Sequence, residues 1–155
     1  YGKFLCGLFD CWYRDWKAGK YISIRTFDDY LRILMRMPPS TCAASGACGS
    51  YLVAEGDGSL YPCDFYVLDE WRIGNIREMT VEEALASPSS RRFAAEGARR
   101  PEECRICPYF SVCRGGCKRD WTALRKNYYC ASFKTFFAYA LPRLREMARA
   151  AKNCR

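Results

Sequence analysis

Along the first 17 residues the apolar positions recur at steps of three and four. Phe4, Leu5, Leu8, Phe9, Trp12 and Trp16 would line one face of a helix over residues 2–17, with Gly19 as its stop. The period then shortens: Tyr21 to Arg25 (YISIR) reads as a short strand. Helical spacing returns with Phe27, Tyr30, Leu31, Leu34 and Met35. Thr26 or Asp28 starts this second helix and Pro38-Pro39 ends it. Together these form a helix–strand–helix unit of the α/β repeat type, whose lone strand calls for neighbours.

From Thr41 the pattern changes. Tyr51 to Glu55 (YLVAE) and Ser59 to Cys63 (SLYPC) flank Gly56-Asp57-Gly58, which predicts a β-hairpin with a glycine-rich turn. Thr80-Val81-Glu82-Glu83 is a capping box, and the short helix it opens ends before Pro88. A second short helix covers Ser90 to Glu96, while residues 97–117 are rich in Gly, Pro and Cys and hold no sustained period. A C-terminal helix begins near Ser132, with Phe133, Phe136, Phe137, Tyr139 and Ala140 forming a face read as core packing. Pro142 is expected to kink or restart it, and residues 143–155 are basic and amphipathic.

Composition narrows the chemistry. The chain has 155 residues, enough for one domain or two small lobes, and half of them are hydrophobic, so a real core is expected. No uncharged apolar run is long enough to span a bilayer, so no membrane partner is expected. No signal peptide is visible, which points to a cytoplasmic location. The chain opens with Tyr1 and is read as part of a longer protein. There is no histidine, which excludes Ser–His and Cys–His catalysis and every His-ligated metal centre. The net charge of +8 suits a solvated basic surface, an anionic partner such as nucleic acid, or compensation of anionic metal centres inside the protein.

Against that background stand 11 cysteines. Eight of them fall in two dense regions: Cys42-x5-Cys48-x9-Gly58-x4-Cys63, and Cys104-x2-Cys107-x5-Cys113-x3-Cys117 followed by Cys130. Short CxxC-type loops pre-position two sulfurs, and distant cysteines complete a four-sulfur site. Gly115 and Gly116 between Cys113 and Cys117 would let amide N–H groups point at sulfur. Arg105, Arg114, Lys118 and Arg119 place positive charge nearby. Spacing alone leaves zinc and iron–sulfur open as alternatives, with disulfides less suited to an odd cysteine count. Cys6 and Cys11 are read as thiols outside both sets, and Cys154 as a free thiol in the tail.

The order C-x9-G-x4-C, gap, C-x2-C-x5-C-x3-C, gap, C resembles the seven-cysteine signature of the SPASM domain, the C-terminal extension of many radical SAM enzymes that modify peptides. The matching residues are Cys48, Gly58, Cys63, Cys104, Cys107, Cys113, Cys117 and Cys130. The upstream Cys42, with YPCDFY (61–66), RIGNI (72–76), CRGGC (113–117) and NYYC (127–130), makes the chain similar to the anaerobic sulfatase-maturating enzymes. The likeness covers nearly the whole chain. It implies two auxiliary [4Fe-4S] clusters, the first on Cys42, Cys48, Cys63 and Cys117, the second on Cys104, Cys107, Cys113 and Cys130. Read alone, Asp64 is a turn aspartate; the resemblance implies the base that deprotonates the substrate side chain. Like-charge repulsion from a neighbouring cluster would raise its pKa.

The fold class implied is α+β. A small loop-rich SPASM domain (41–131), with a β-hairpin and short helices around the two clusters, follows the last helix–strand–helix of a partial β/α barrel (1–40) and precedes a C-terminal helix (132–155). The activity implied is formylglycine generation on a Cys or Ser of a sulfatase peptide. The C-x3-C-x2-C motif of the SAM-cleaving cluster is absent from this sequence. S-adenosylmethionine and a third [4Fe-4S] cluster are therefore expected in a barrel outside it, and this chain alone is expected to be inactive. Two alternatives are a SPASM enzyme acting on another peptide, for instance forming thioether links, and a basic four-cysteine zinc module contacting nucleic acid. Nucleic acid is the less expected partner, because the basic residues are dispersed and no binding motif occurs.

Overall fold

A computed structural model of the chain describes residues 1–153; Cys154 lies outside the described residues. Among the described residues two compact units emerge, residues 46–99 and the flanking residues 1–45 and 100–153. This division follows packing and differs from the partition at 40 and 131 read in the sequence.

The flanking unit is helical. Helix α1 (Gly2–Lys17), α2 (Arg25–Leu34) and the long α8 (Cys130–Asn153) enclose its core. Short helices α3 (Cys42–Ser45), α6 (Glu102–Arg105) and α7 (Phe110–Cys113) lie in the loops. The apolar spacing of α1 buries Leu5, Phe9 and Trp12 as expected. Phe9 and Phe136 are fully buried, and Phe136 stacks on Phe27 at 5.4 Å and meets Phe9 edge-on at 5.8 Å. Such aromatic pairs add to the burial energy of each ring. Of the aromatic face expected on α8, Phe136 and Phe137 are core, whereas Tyr139 is partly exposed and bonds to Asp10.

The structure departs from the sequence pattern at several points in this unit. Tyr21 to Arg25 forms no strand: residues 20–24 are an irregular connection that leads straight into α2. A lone strand needs a partner for its backbone groups, and here the segment is held instead by one side-chain bond to a backbone carbonyl and by bonds between side chains. Trp12 Nε1 donates to the Ile22 carbonyl at 2.6 Å, and the Tyr21 and Ser23 hydroxyls donate to Asp28. Asp28, engaged this way, does not cap α2, which begins at Arg25 with Ile24 at its N-cap. Nor does Pro142 restart α8, which runs through it as one helix. A proline inside a helix costs about 3 kcal/mol. Leu141, Leu144, Met147 and Ala148 are buried on either side of it. Each large side chain buried contributes roughly 1.5–3 kcal/mol, which outweighs that cost.

The central unit holds a three-stranded antiparallel sheet in the order β1-β2-β3: β1 (Val53–Ala54), β2 (Ser59–Tyr61) and β3 (Gly74–Asn75). The expected hairpin is present with the register Val53↔Tyr61; β3 is an addition the sequence pattern did not reveal. Gly58 turns the hairpin at φ +87°, and Asn75 Nδ2 donates to the Asp57 carbonyl, tying β3 to the turn. The capping box opens α4 (Val81–Leu85), with Glu83 N–H donating to Thr80 Oγ1 and Thr80 N–H donating to Glu83 Oε2. Helix α5 (Pro88–Ala98) starts earlier than read, with Ser87 as N-cap and Pro88 in its first turn. Trp71, Phe93 and Tyr66 pack edge-to-face around Cys63 and Cys48 as this unit's small core. Among the described residues no helix is long and apolar enough to cross a membrane.

Candidate metal centre

The second cysteine set lies within the flanking unit. Cys104 sits in α6, Cys107 just after it, Cys113 at the end of α7 and Cys130 at the start of α8. All four line one cavity, together with Glu103 and Lys126, which form an ion pair. Burial pushes the Cys104 thiol up, reinforced by the nearby Cys130 and Cys107. Burial also raises Cys113, against the Gly115 amide, which donates to its sulfur. A buried thiol surrounded by other thiols resists ionisation until a cation compensates the charge. Among the described residues no three His, Cys, Asp or Glu side chains are grouped as they would be around one metal ion. No disulfide joins any two of the ten described cysteines.

The loop between Cys113 and Cys117 has the conformation its glycines suggest. Arg114, Gly115 and Gly116 are successive left-handed residues, at φ +52°, +85° and +65°. The turn is braced by Arg100 Nε, which donates to the Arg114 carbonyl at 3.0 Å, and by Trp121 Nε1, which donates to the Gly115 carbonyl at 3.0 Å. At Cys117 burial raises the thiol and the Arg119 amide opposes the rise. Amide donors at two of the sulfurs are the arrangement that stabilises ligating thiolates.

The first set divides between the units: Cys42 and Cys117 belong to the flanking unit, Cys48 and Cys63 to the central one. Within the flanking unit, Asp29 is 1% exposed and orders the chain just before Cys42. Its carboxylate accepts from Ser40 N–H at 2.5 Å and from Thr41 Oγ1 at 2.6 Å, and Thr41 Oγ1 in turn accepts from Ala44 N–H at the start of α3. Within the central unit, Gly97 leaves room for Cys48: a methyl there would stand 2.5 Å from its Sγ. Such cradles and the all-thiol donor set fit iron–sulfur ligation. Of the remaining thiols, Cys6 is half-buried and raised by burial, and Cys11 is exposed.

Asp64 follows Cys63 in a 3₁₀ turn (Asp64–Tyr66) and is exposed. Its carboxyl titrates below the ordinary aspartate range, held there chiefly by the Tyr51 hydroxyl, which donates to Oδ1 at 2.6 Å. The hairpin thus brings a phenol donor to the carboxylate, an influence opposed to the rise expected from the like charge of a neighbouring cluster. Tyr51, Gly97 and Asp29 were not singled out in the sequence. For Tyr51 a signal existed: the register Val53↔Tyr61, continued by two residues, sets it opposite Cys63.

Residues 46–108 match the SPASM family, described as an iron-sulfur cluster-binding domain. The chain is 46% identical over 153 residues to a cysteine-type anaerobic sulfatase-maturating enzyme of Clostridium perfringens, covering 96% of this chain and 41% of that relative. It is 29% identical over 160 residues to a serine-type enzyme of Bacteroides thetaiotaomicron, covering 99% of this chain and 38% of the relative. The solved structure of native anSMEcpe with bound AdoMet and Cp18Cys peptide matches with TM-score 0.93 and 45% identity, over 97% of this chain and 43% of that one. The chain thus spans about two fifths of the relatives it matches. Residues 46–108 are thus similar to an iron–sulfur cluster-binding domain, and nearly the whole chain is similar to part of an anaerobic sulfatase-maturating enzyme.

Proposed function

We propose that this chain is the auxiliary-cluster portion of a radical SAM sulfatase maturase, with S-adenosylmethionine and its cluster held by residues outside this sequence. Cys104, Cys107, Cys113 and Cys130 would hold one [4Fe-4S] cluster, and Cys42, Cys48, Cys63 and Cys117 the other. The observation that carries the reading is the single cavity lined by the four thiols of the second set. When bound, such clusters supply one-electron oxidising capacity to a reaction that turns a sulfatase side chain into an aldehyde. The protein's own part is to hold and orient. Buried thiols, countered by the Gly115 and Arg119 amides, give up their protons to bind metal. Asp64, ionised at neutral pH, accepts the proton of the substrate thiol or hydroxyl. The closer identity to the cysteine-type relative favours a thiol substrate.

Iron, sulfide and zinc analysis of anaerobically prepared chain tests the reading. About eight iron and eight sulfide per chain, with broad absorption in the visible, are expected for two cubane clusters. Zinc without sulfide would overturn it and revive the nucleic-acid module.

A further inference from the structure

Tyr51 has no assigned role, yet its hydroxyl reaches two residues on which the proposed function depends. It donates to Asp64 Oδ1 at 2.6 Å and stands 3.4 Å from Cys63 Sγ. All three groups belong to one hairpin and the turn that follows it. The register is fixed on both edges of β2, by β1 and by β3, so the pairing cannot slip without turning the side chains to the opposite face. The phenol therefore arrives where the fold puts it. Asp64 is exposed, and an exposed carboxylate samples several rotamers unless something holds it. A short hydrogen bond to an ionised oxygen is the strong kind that holds one orientation. The same bond puts the positive end of the O–H dipole on the carboxylate oxygen that stands 3.4 Å from the Cys63 sulfur, and so screens part of its charge.

We propose that Tyr51 is a positioning residue: its hydroxyl fastens the Asp64 carboxylate next to Cys63 and sets how much of that negative charge the sulfur feels. The proposal rests on the reading of Cys63 as a cluster ligand. Hydrogen bonds and charge near ligating sulfurs are what tune cluster potentials. Removing the hydroxyl leaves the carboxylate, still one residue from Cys63, with its full charge near the sulfur and without a fixed working orientation.

Tyr51→Phe deletes one oxygen and keeps the ring. In anaerobically reconstituted chain the expected iron content is that of the wild type. A redox titration followed by electron paramagnetic resonance should show one cluster shifted to lower potential and the other unmoved. In an Asp64→Asn background the same change should produce little shift, because no carboxylate charge remains to be screened. In the longer enzyme kcat should fall about tenfold with the peptide KM unchanged, as expected for a misplaced reacting group. Equal potentials for wild type and Tyr51→Phe, with iron intact, would overturn the proposal. Loss of iron from Tyr51→Phe would overturn it too, since Tyr51 would then be building the site rather than positioning Asp64. The underlying reading fails separately: Cys63→Ala, which offers no donor atom, with undiminished iron would show that Cys63 ligates no cluster.

Discussion

Gly97→Ala reverses the usual sign of a helix substitution. Within a helix Ala is better than Gly by about 0.8–1.0 kcal/mol. Gly97 lies in α5, but a methyl there would stand 2.5 Å from Sγ and 2.6 Å from Cβ of Cys48. Non-bonded carbons settle at about 3.5–4.0 Å, so the side chain must give way by about 1 Å. Overpacking of that size costs about 1–3 kcal/mol, which exceeds the propensity gain. The net loss of up to about 2 kcal/mol lowers Tm by a few degrees for a chain of this size. The same displacement moves the Cys48 sulfur well beyond the roughly 0.2 Å tolerance of metal ligation. Anaerobically reconstituted Gly97→Ala should therefore hold about four iron instead of about eight. Gly7→Ala in α1 is the control: nothing lies within 4 Å of its added methyl, so it should gain up to about 1 kcal/mol and keep its iron. Full iron and a raised Tm in Gly97→Ala would refute the crowding argument.

Phe136→Ala removes the ring that stacks on Phe27 and meets Phe9 and Tyr30; calorimetry should show a loss of about 3–5 kcal/mol. Asp29→Asn keeps the shape but leaves Ser40 N–H or Thr41 Oγ1 without its acceptor, a cost of about 1–3 kcal/mol by denaturant unfolding. Burial pulls the Asp29 pKa up, but the Thr41 and Ser40 hydrogen bonds hold it below the ordinary value. Its stabilisation is thus present above about pH 4 and lost as pH falls through the folded pKa, and the Asn variant should lack that part of the acid dependence. Asp64→Asn in the longer enzyme should keep its clusters and lose most formylglycine formation, assayed by peptide mass; unchanged product would remove Asp64 from the base role.

Helix α1, the hairpin and the Thr80 capping box were legible because each writes its own local signature over enough residues. Helices α6 and α7 span four residues each, too few for a 3.6-residue period to show. The two-residue β3 carries no alternation at all. YISIR misled because strand propensity describes a surface that a sheet must complete, and side-chain bonds from Trp12 and Asp28 settled that segment instead. The cysteine spacing displayed eight cysteines in two dense regions, and their division into two sets is what the family resemblance implies. Their support did not show, since Gly97 and Asp29 act on residues far away in sequence, a relation that only folding creates.

That the flanking unit is drawn from two separated stretches of chain has a consequence for biosynthesis. Phe9 and Phe27 are translated early, but their partner Phe136 belongs to α8. Until the ribosome has delivered α8, α1 and α2 have no lid for their aromatic faces, and their exposed rings invite association with other nascent chains or capture by chaperones. Residues 46–99, whose sheet and small core close on themselves, can fold in the meantime. Cys48 and Cys63 are then in place while Cys104 to Cys130 are still being made. On the proposed function, iron insertion into the second set would have to wait until translation has passed Cys130, and a nascent chain stalled before that point would carry thiols exposed to oxidation.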